Sequence, residues 1–167
     1  MPVSRRDSRP VLRDMRVADV PAVLAVQEPA AVAGLSDVFP QDRYPFPREE
    51  IAARWRAEIA DPAVTCFVIE HEGRVAGFAA ARGDEVLHFG TALASWGSGL
   101  ATTAHDELVE RMRASGVVRP RLFVYAGNAR GRRFWEKHGW VPRGEALRGS
   151  FPPHADLLGY EWHAARR

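Results

Sequence analysis

Trp96-Gly97-Ser98-Gly99-Leu100-Ala101-Thr102 is the stretch on which the chain turns. Before it, Val86 to Leu93 form an apolar run short enough for one buried strand. After it the spacing is helical. Leu100, Ala101, Ala104, Leu108 and Met112 share one face, and Thr102, Asp106, Glu110 and Arg113 fall off it. The segment predicts a strand, a glycine-rich turn and a helix N-terminus. Two glycines let backbone come close to a ligand. The first turn of a helix has unpaired N–H groups and a partial positive charge, so this is an anion site suited to a phosphate or pyrophosphate. A plain helix start after a flexible turn is also permitted by these residues. A nucleotide P-loop is excluded, because Leu100 and Ala101 stand where Lys and Ser/Thr are needed. A dinucleotide fingerprint fits poorly: Thr102 takes the third glycine's place, and several strands come first.

Outward from that turn the elements follow in order. Val11 to Met15 reads as a first strand. Asp19 is placed as a helix N-cap with Pro21 in the first turn, and the helix runs to about Ala33. Gly34 to Pro47 is a proline-bearing loop with Phe39, Tyr44 and Phe46. Arg48 to Ala60 is a second helix, with Ile51, Trp55 and Ile59 at helical spacing, ended by Asp61-Pro62. Val64 to Glu70 and Arg74 to Ala81 form a hairpin, and Glu85 to Leu93 continues it into the turn. The next helix ends at Ser115-Gly116. Arg121 to Tyr125 is a short strand, Gly127-Asn128 opens a helix to His138-Gly139, and Trp140-Val141 starts another strand. Gly144 to Pro153 reads as a loop, and Leu157 to Trp162 closes the chain. The order is β-α-α-β-β-β-α-β-α-β-β, a mixed α/β chain. Residues 1–10 read as a flexible lead and 11–167 as one domain.

Composition sets limits on function. Hydrophobic content of 46% and charged content of 26% are those of an ordinary globular chain, and 167 residues can bury a core without staples. Cys66 is the sole cysteine, so an internal disulfide is ruled out and a reducing, cytoplasmic compartment is expected. The N-terminal residues have no apolar stretch of the secretory kind, and no run approaches the ~20 apolar residues of a spanning helix. Net charge is +2 but uneven. Between 111 and 148, Arg111, Arg113, Arg119, Arg121, Arg130, Arg132, Arg133, Lys137, Arg143 and Arg148 face only Glu136 and Glu145. A polyanionic ligand accounts for this, as does a solvated basic surface. No interleaved basic and aromatic motif supports nucleic acid.

With these elements laid out, the chain resembles the GNAT superfamily of acyl-CoA N-acyltransferases from about residue 11 to 163. The family's turn, Gln/Arg-x-x-Gly-x-Gly/Ala, is met by Trp96 to Ala101, with Trp96 departing at the first position. Its second signature, Asn-x-x-Ala-x-x-Phe-Tyr-Glu-x-x-Gly-Phe, is met at Asn128, Phe134, Glu136 and Gly139, with Gly131, Trp135 and Trp140 in place of Ala, Tyr and Phe. The resemblance implies a mostly antiparallel central sheet flanked by helices, acetyl-CoA as acyl donor and a small-molecule or peptide amine as acceptor. It implies that the N–H groups of Gly97, Ser98, Gly99, Leu100, Ala101 and Thr102 hold the pyrophosphate of CoA. The strand around Thr91, Ala92 and Leu93 would pair with the pantetheine arm, one N–H facing the thioester oxygen. Asn128 would also bond the pantetheine; read from its neighbours alone, it is a helix cap after Gly127. Trp135 stands among the cofactor-binding positions, where the family often carries a tyrosine as acid for the thiolate. An indole N–H cannot serve as that acid, and from its neighbours Trp135 reads as a core aromatic beside Phe134.

Catalysis requires a neutral amine, and a lysine-like amine at pKa ~10.4 must lose its proton. The base candidates are Glu85 and His88, which strict alternation puts on opposite faces of their strand. Glu28 and His154 are further candidates, and Tyr125 or Tyr160 could act as acid for the thiolate. The six histidines lack ligand spacing, so no metal is expected. The loops Phe39 to Phe46 and Gly149 to His154 would wall an apolar acceptor groove. A domain that binds acyl-CoA without turnover is the competing reading, and a homodimer is compatible with the sequence.

Overall fold

The computed structural model describes residues 9–164. The lead expected at 1–10 therefore falls, but for its last two residues, outside the described residues. Seven strands form a single sheet in the order β1-β2-β3-β4-β5-β7-β6. They are β1 (Leu12–Asp14), β2 (Val64–His71), β3 (Arg74–Arg82), β4 (Glu85–Thr91), β5 (Arg121–Tyr125), β6 (Trp140–Arg148) and β7 (Asp156–Trp162). Every neighbouring pair is antiparallel except β4 with β5. Four helices flank the sheet: α1 (Val20–Gly34), α2 (Arg48–Ala60), α3 (Leu100–Ala114) and α4 (Ala129–Lys137). The mixed α/β architecture expected from the sequence is the one observed.

Two cores lie on opposite faces of the sheet. On one, Leu100, Ala104, Leu108 and Met112 of α3 pack with Trp135 of α4 against Val86, Leu122, Val124 and Tyr160. On the other, Val20, Val23 and Leu24 of α1 and Ile51, Ala52 and Trp55 of α2 pack against Val68, Phe78 and Ala80. The helices form because their apolar residues recur at helical spacing and face these cores. Fully buried Trp55 donates from Nε1 to Gln27 Oε1 at 2.8 Å, tying α2 to α1.

Of three local readings, one holds in position and two are corrected. Asp19 is the N-cap residue of α1, with Pro21 in its first turn, but its side chain makes no cap bond to that helix. It instead accepts from the Arg16 N–H at 2.8 Å and from both ends of the Arg13 guanidinium, a fork that lowers its pKa. The strand into the glycine turn ends at Thr91, and Leu93–Ser95 form a single 3-10 turn. Third, β6 continues to Arg148 through a stretch read as loop, its register with β7 shifting between Pro142 and Ala146. Its polar residues hide strand character because nearly all of it is solvent-facing.

The feature that shapes the molecule is the parting of β4 from β5. They pair only at Glu85 with Arg121 and Val86 with Leu122. The next residue, Leu87, is extra: β3 pairs Ala80 with His88 and Ala81 with Val86, which leaves Leu87 as a β-bulge. A bulge bends its strand and sharpens the twist. Beyond it the two parallel strands splay, leaving a wedge open toward the glycine turn.

Candidate active site

One wall of the wedge is backbone. Gly97 and Gly99 hold φ of 77° and 89°, the left-handed region that favours glycine. A Cβ built on either meets nothing within 4 Å, so the cradle they form is open. Gly99 is the residue before α3, and the first turn of that helix carries no acidic side chain. The Leu100 N–H has a long bond of 3.3 Å to Ser98 Oγ, and the first intrahelical bond here runs from the Thr103 N–H to the Gly99 carbonyl. The N–H groups of Ala101 and Thr102 thus lie in the unpaired first turn of the helix. An anionic diphosphate fits this donor set in charge and in space.

The end of β4 adds two donors. The Ala92 N–H bonds the Ala76 carbonyl of β3 at 2.8 Å, so it is spent within the sheet. Antiparallel alternation then turns the N–H groups of Phe89 and Thr91 away from β3, toward the wedge. Of Thr91, Ala92 and Leu93, Thr91 is therefore the residue whose N–H faces the opening within β4. Its carbonyl accepts from Trp96 Nε1 at 3.1 Å. The Trp96 ring carries the guanidinium of Arg130, 3.7 Å from the ring centre. A cation thus stands beside the turn although its first position has no charge. Thr102 Oγ1 bonds His138 Nε2 at 3.0 Å, linking α3 to α4.

Asn128 is the N-cap of α4: its Oδ1 accepts from the Gly131 N–H at 2.9 Å. A Cβ at Gly131 would lie 2.5 Å from Asn128 Nδ2, which explains glycine where alanine is usual. The cap leaves the amide nitrogen as the atom that can serve a second partner. Trp135 sits in the core at 8% exposure, against Phe89, Phe134, His105 and Trp140. Its place among the cofactor-binding positions gives way to a packing role, since the ring is enclosed by other aromatics.

The other wall is made of side chains. His88 follows the bulge, so Leu87 and His88 both project toward α1 and α2, while Val86 and Phe89 face α3. Strict alternation is broken there, and Glu85 and His88 share a side; the opposite-face expectation is corrected. Glu85 lies at the closed end of the wedge, 3.8 Å from Arg121. His88 Nε2 is 2.8 Å from Glu58 Oε2 and 3.0 Å from Oε1, and its ring sits 4.9 Å from that of Trp55. Burial drives the His88 pKa below its ordinary value, outweighing the Glu58 contact, and Arg54 pushes the same way. The imidazole is therefore neutral at neutral pH. With the carboxylate at Nε2, that nitrogen carries the ring proton and Nδ1 keeps a lone pair.

Tyr125 ends β5 across the wedge, its phenol pKa raised by burial and so protonated. Phe39 meets its ring edge-on at 5.3 Å. Phe151, from the loop between β6 and β7, covers the guanidinium of Arg54, 5.5 Å from the ring centre. Both proline-bearing loops thus reach this wall. The other candidates are engaged elsewhere. Glu28 pairs with Arg48 at 2.9 Å, and His154 Nδ1 bonds the Gly149 carbonyl at 2.8 Å. The Tyr160 hydroxyl donates to Glu136 and accepts from Arg132 within the opposite core.

Arg54 and Glu58 are the site residues that sequence reading missed. They flank Trp55 at i and i+4 on α2, an acid and a base beside the apolar stripe, which is the one signal that pointed to them. Among the described residues, no three metal-ligating side chains converge, and no helix is long and apolar enough to cross a membrane.

Known proteins match this architecture. The model of the Acetyltransferase (GNAT) family matches residues 31–140. A GCN5-related N-acetyltransferase from Rhodopseudomonas palustris superposes with a TM-score of 0.74 at 18% identity, covering 94% of this chain and 97% of that one. A ribosomal-protein-alanine N-acetyltransferase from Brucella melitensis gives 0.67 at 22%, covering 92% and 99%. The PaiA N-acetyltransferase from Thermoplasma acidophilum, solved in complex with coenzyme A, gives 0.65 at 13%, covering 89% and 96%. No curated protein matches by sequence. The family match spans more than half of the chain, over a splayed sheet of this topology, and the protein accordingly belongs to the acetyltransferase (GNAT) family and is an acyltransferase.

Proposed function

We propose that the protein moves an acetyl group from acetyl-CoA to a primary amine of a small molecule or a peptide. The observation that carries this is the wedge itself: an open cradle of N–H donors on one wall and a neutral His88 bonded to Glu58 on the other. The Brucella relative's name, which specifies an alanine of a ribosomal protein, supports an amine acceptor.

The N–H groups of Gly97, Gly99, Ala101 and Thr102 bind the diphosphate, since the Ser98 N–H is spent on the Ser95 carbonyl at 3.1 Å, and the Phe89 and Thr91 N–H groups line the arm that follows it. Acetyl-CoA supplies an activated thioester carbonyl. A backbone N–H on β4 is the donor for the charge that builds on the carbonyl oxygen. An amine of pKa ~10.4 needs roughly 4–5 kcal/mol to be freed of its proton at neutral pH. His88 accepts that proton, and Glu58 holds the imidazolium that results. The amine nitrogen bonds the carbonyl carbon, the carbon–sulfur bond breaks, and the thiolate departs with the bonding pair. With pKa ~8.5 it leaves without strong assistance. The protonated phenol of Tyr125 is the donor on that wall. Buried Cys66, its thiol pushed up to about 11, acts as an inert small hydrophobe, in keeping with a cytoplasmic location.

The test is purified protein with acetyl-CoA and a panel of primary amines, read by thiol release and by mass of the product. Acetylated amine is expected. CoA binding by calorimetry without thiol release on any amine would leave a binding domain instead.

A further inference from the structure

Arg54 sits on the acceptor wall, and among the described residues no carboxylate forms a salt bridge with it. Among the described residues its Nε is the buried side-chain polar atom that has no hydrogen bond. Partial burial pulls its pKa downward, against the nearby Glu58 carboxylate, which raises it. Its guanidinium faces Phe151 on one side, and its field reaches Glu58 and Tyr125. Arg54 is half-buried: its Nε is out of water and unpaired, while the rest of the guanidinium still reaches solvent, so it is placed to take a charged partner that enters from there. The carboxylate of Glu58 is occupied by His88. Among the described residues no other carboxylate pairs with Arg54, which leaves its guanidinium available to an anion from outside the chain.

Resting on the acetyl-transfer reading above, we propose that the acceptor amine carries a carboxylate within a few bonds of its nitrogen, as an amino acid does, and that Arg54 binds that carboxylate. Arg54 and Glu58 are one turn apart on α2, which puts their Cβ atoms about 5–6 Å from each other. A cation and an anion at that spacing match the two charges of a small zwitterion. The carboxylate pairs with the Arg54 fork, and the ammonium enters beside Glu58, where His88 takes its proton. Phe39, Tyr125 and Phe151 give flat apolar surface for the remainder of the molecule. Arginine suits the task because its planar fork meets a carboxylate with two parallel bonds.

The experiment compares the free α-amino acids with their own carboxamides and decarboxylated amines, by thiol release, in wild type, Arg54→Gln and Arg54→Lys. The acids are expected to exceed their carboxamides by at least about tenfold in kcat/KM. In Arg54→Gln that ratio should fall to near one, chiefly through KM, and Arg54→Lys should restore part of it. CoA affinity, measured by calorimetry, should be the same in all three. Carboxamides or plain amines turned over as well as the acids would overturn the proposal, and this comparison needs no variant. Should no amine release thiol, the transfer reading fails separately. Titration of the CoA-loaded protein with the same compounds then decides this one. Binding of acids over carboxamides, lost in Arg54→Gln, supports it, and equal or absent binding overturns it.

Discussion

The two walls of the wedge are made of different material. The proposed donor wall is peptide backbone from one stretch, Phe89 through Thr102, with two glycines holding it open. The acceptor wall is side chains at positions 39, 54, 58, 88, 125 and 151, gathered from three elements and two loops. A backbone site needs a local conformation, which neighbouring residues dictate. A side-chain site needs tertiary placement, which no local window contains. One wall can therefore serve a donor common to a whole family, while the other is free to change its acceptor one residue at a time.

The sharpest way to break this contrast is Gly99→Val. Valine at a φ of 89° stores about 1–2 kcal/mol of strain, and its side chain fills the phosphate approach. CoA affinity is expected to fall about a hundredfold or more by calorimetric titration. Unchanged affinity would mean that the cradle lies elsewhere. On the opposite wall, His88→Gln should lower kcat by about a hundredfold and leave the CoA dissociation constant as it was. A loss of CoA binding in this variant would show that the walls are not separable.

A third test uses acid. Burial holds both His88 and His105 below the ordinary histidine value of 6.5. The unfolded chain therefore takes up protons first as pH falls. Stability is level in these groups above about pH 6.5, then declines down to their folded-state values, by about 1.4 kcal/mol per unit of depression. Thermal melts at about pH 7.5 and about pH 5.5 should show the decline, and His88→Gln should reduce it; a level profile would mean that neither ring is buried neutral. The smallest effect is expected from Arg130→Ala. Removing the cation over Trp96 forfeits about 0.5–1 kcal/mol, so CoA affinity should fall about threefold. A far larger loss would make the donor wall depend on a side chain after all.

Sequence reading was strongest where chemistry and periodicity coincide. The glycine turn, the helix behind it and the strand Arg121–Tyr125 are each local patterns, and each forms where expected. The reading of β4 ran two residues long because Ala92 and Leu93 continue its apolar run, yet Ala92 gives its N–H to β3 and the chain then tightens into a turn. The side on which His88 lies was unreadable, because alternation holds only while no residue is extra and nothing in Val86-Leu87-His88 announces a bulge. Nothing local sets Arg54 apart from the other arginines of α2, because the ring that meets its guanidinium, Phe151, comes nearly a hundred residues later. Asn128 was legible both as a cap and as a donor, and the structure fills the cap with Oδ1 alone.

Leu87 has a consequence larger than its side chain. It follows immediately on the last rung shared by β4 and β5, and it is the residue that β3 skips. Without it the faces of Val86, His88 and Phe89 would alternate normally, and the two parallel edges could zip together along their length. One surplus amino acid thus marks the point at which the two edges part and the molecule gains an opening rather than a continuous sheet.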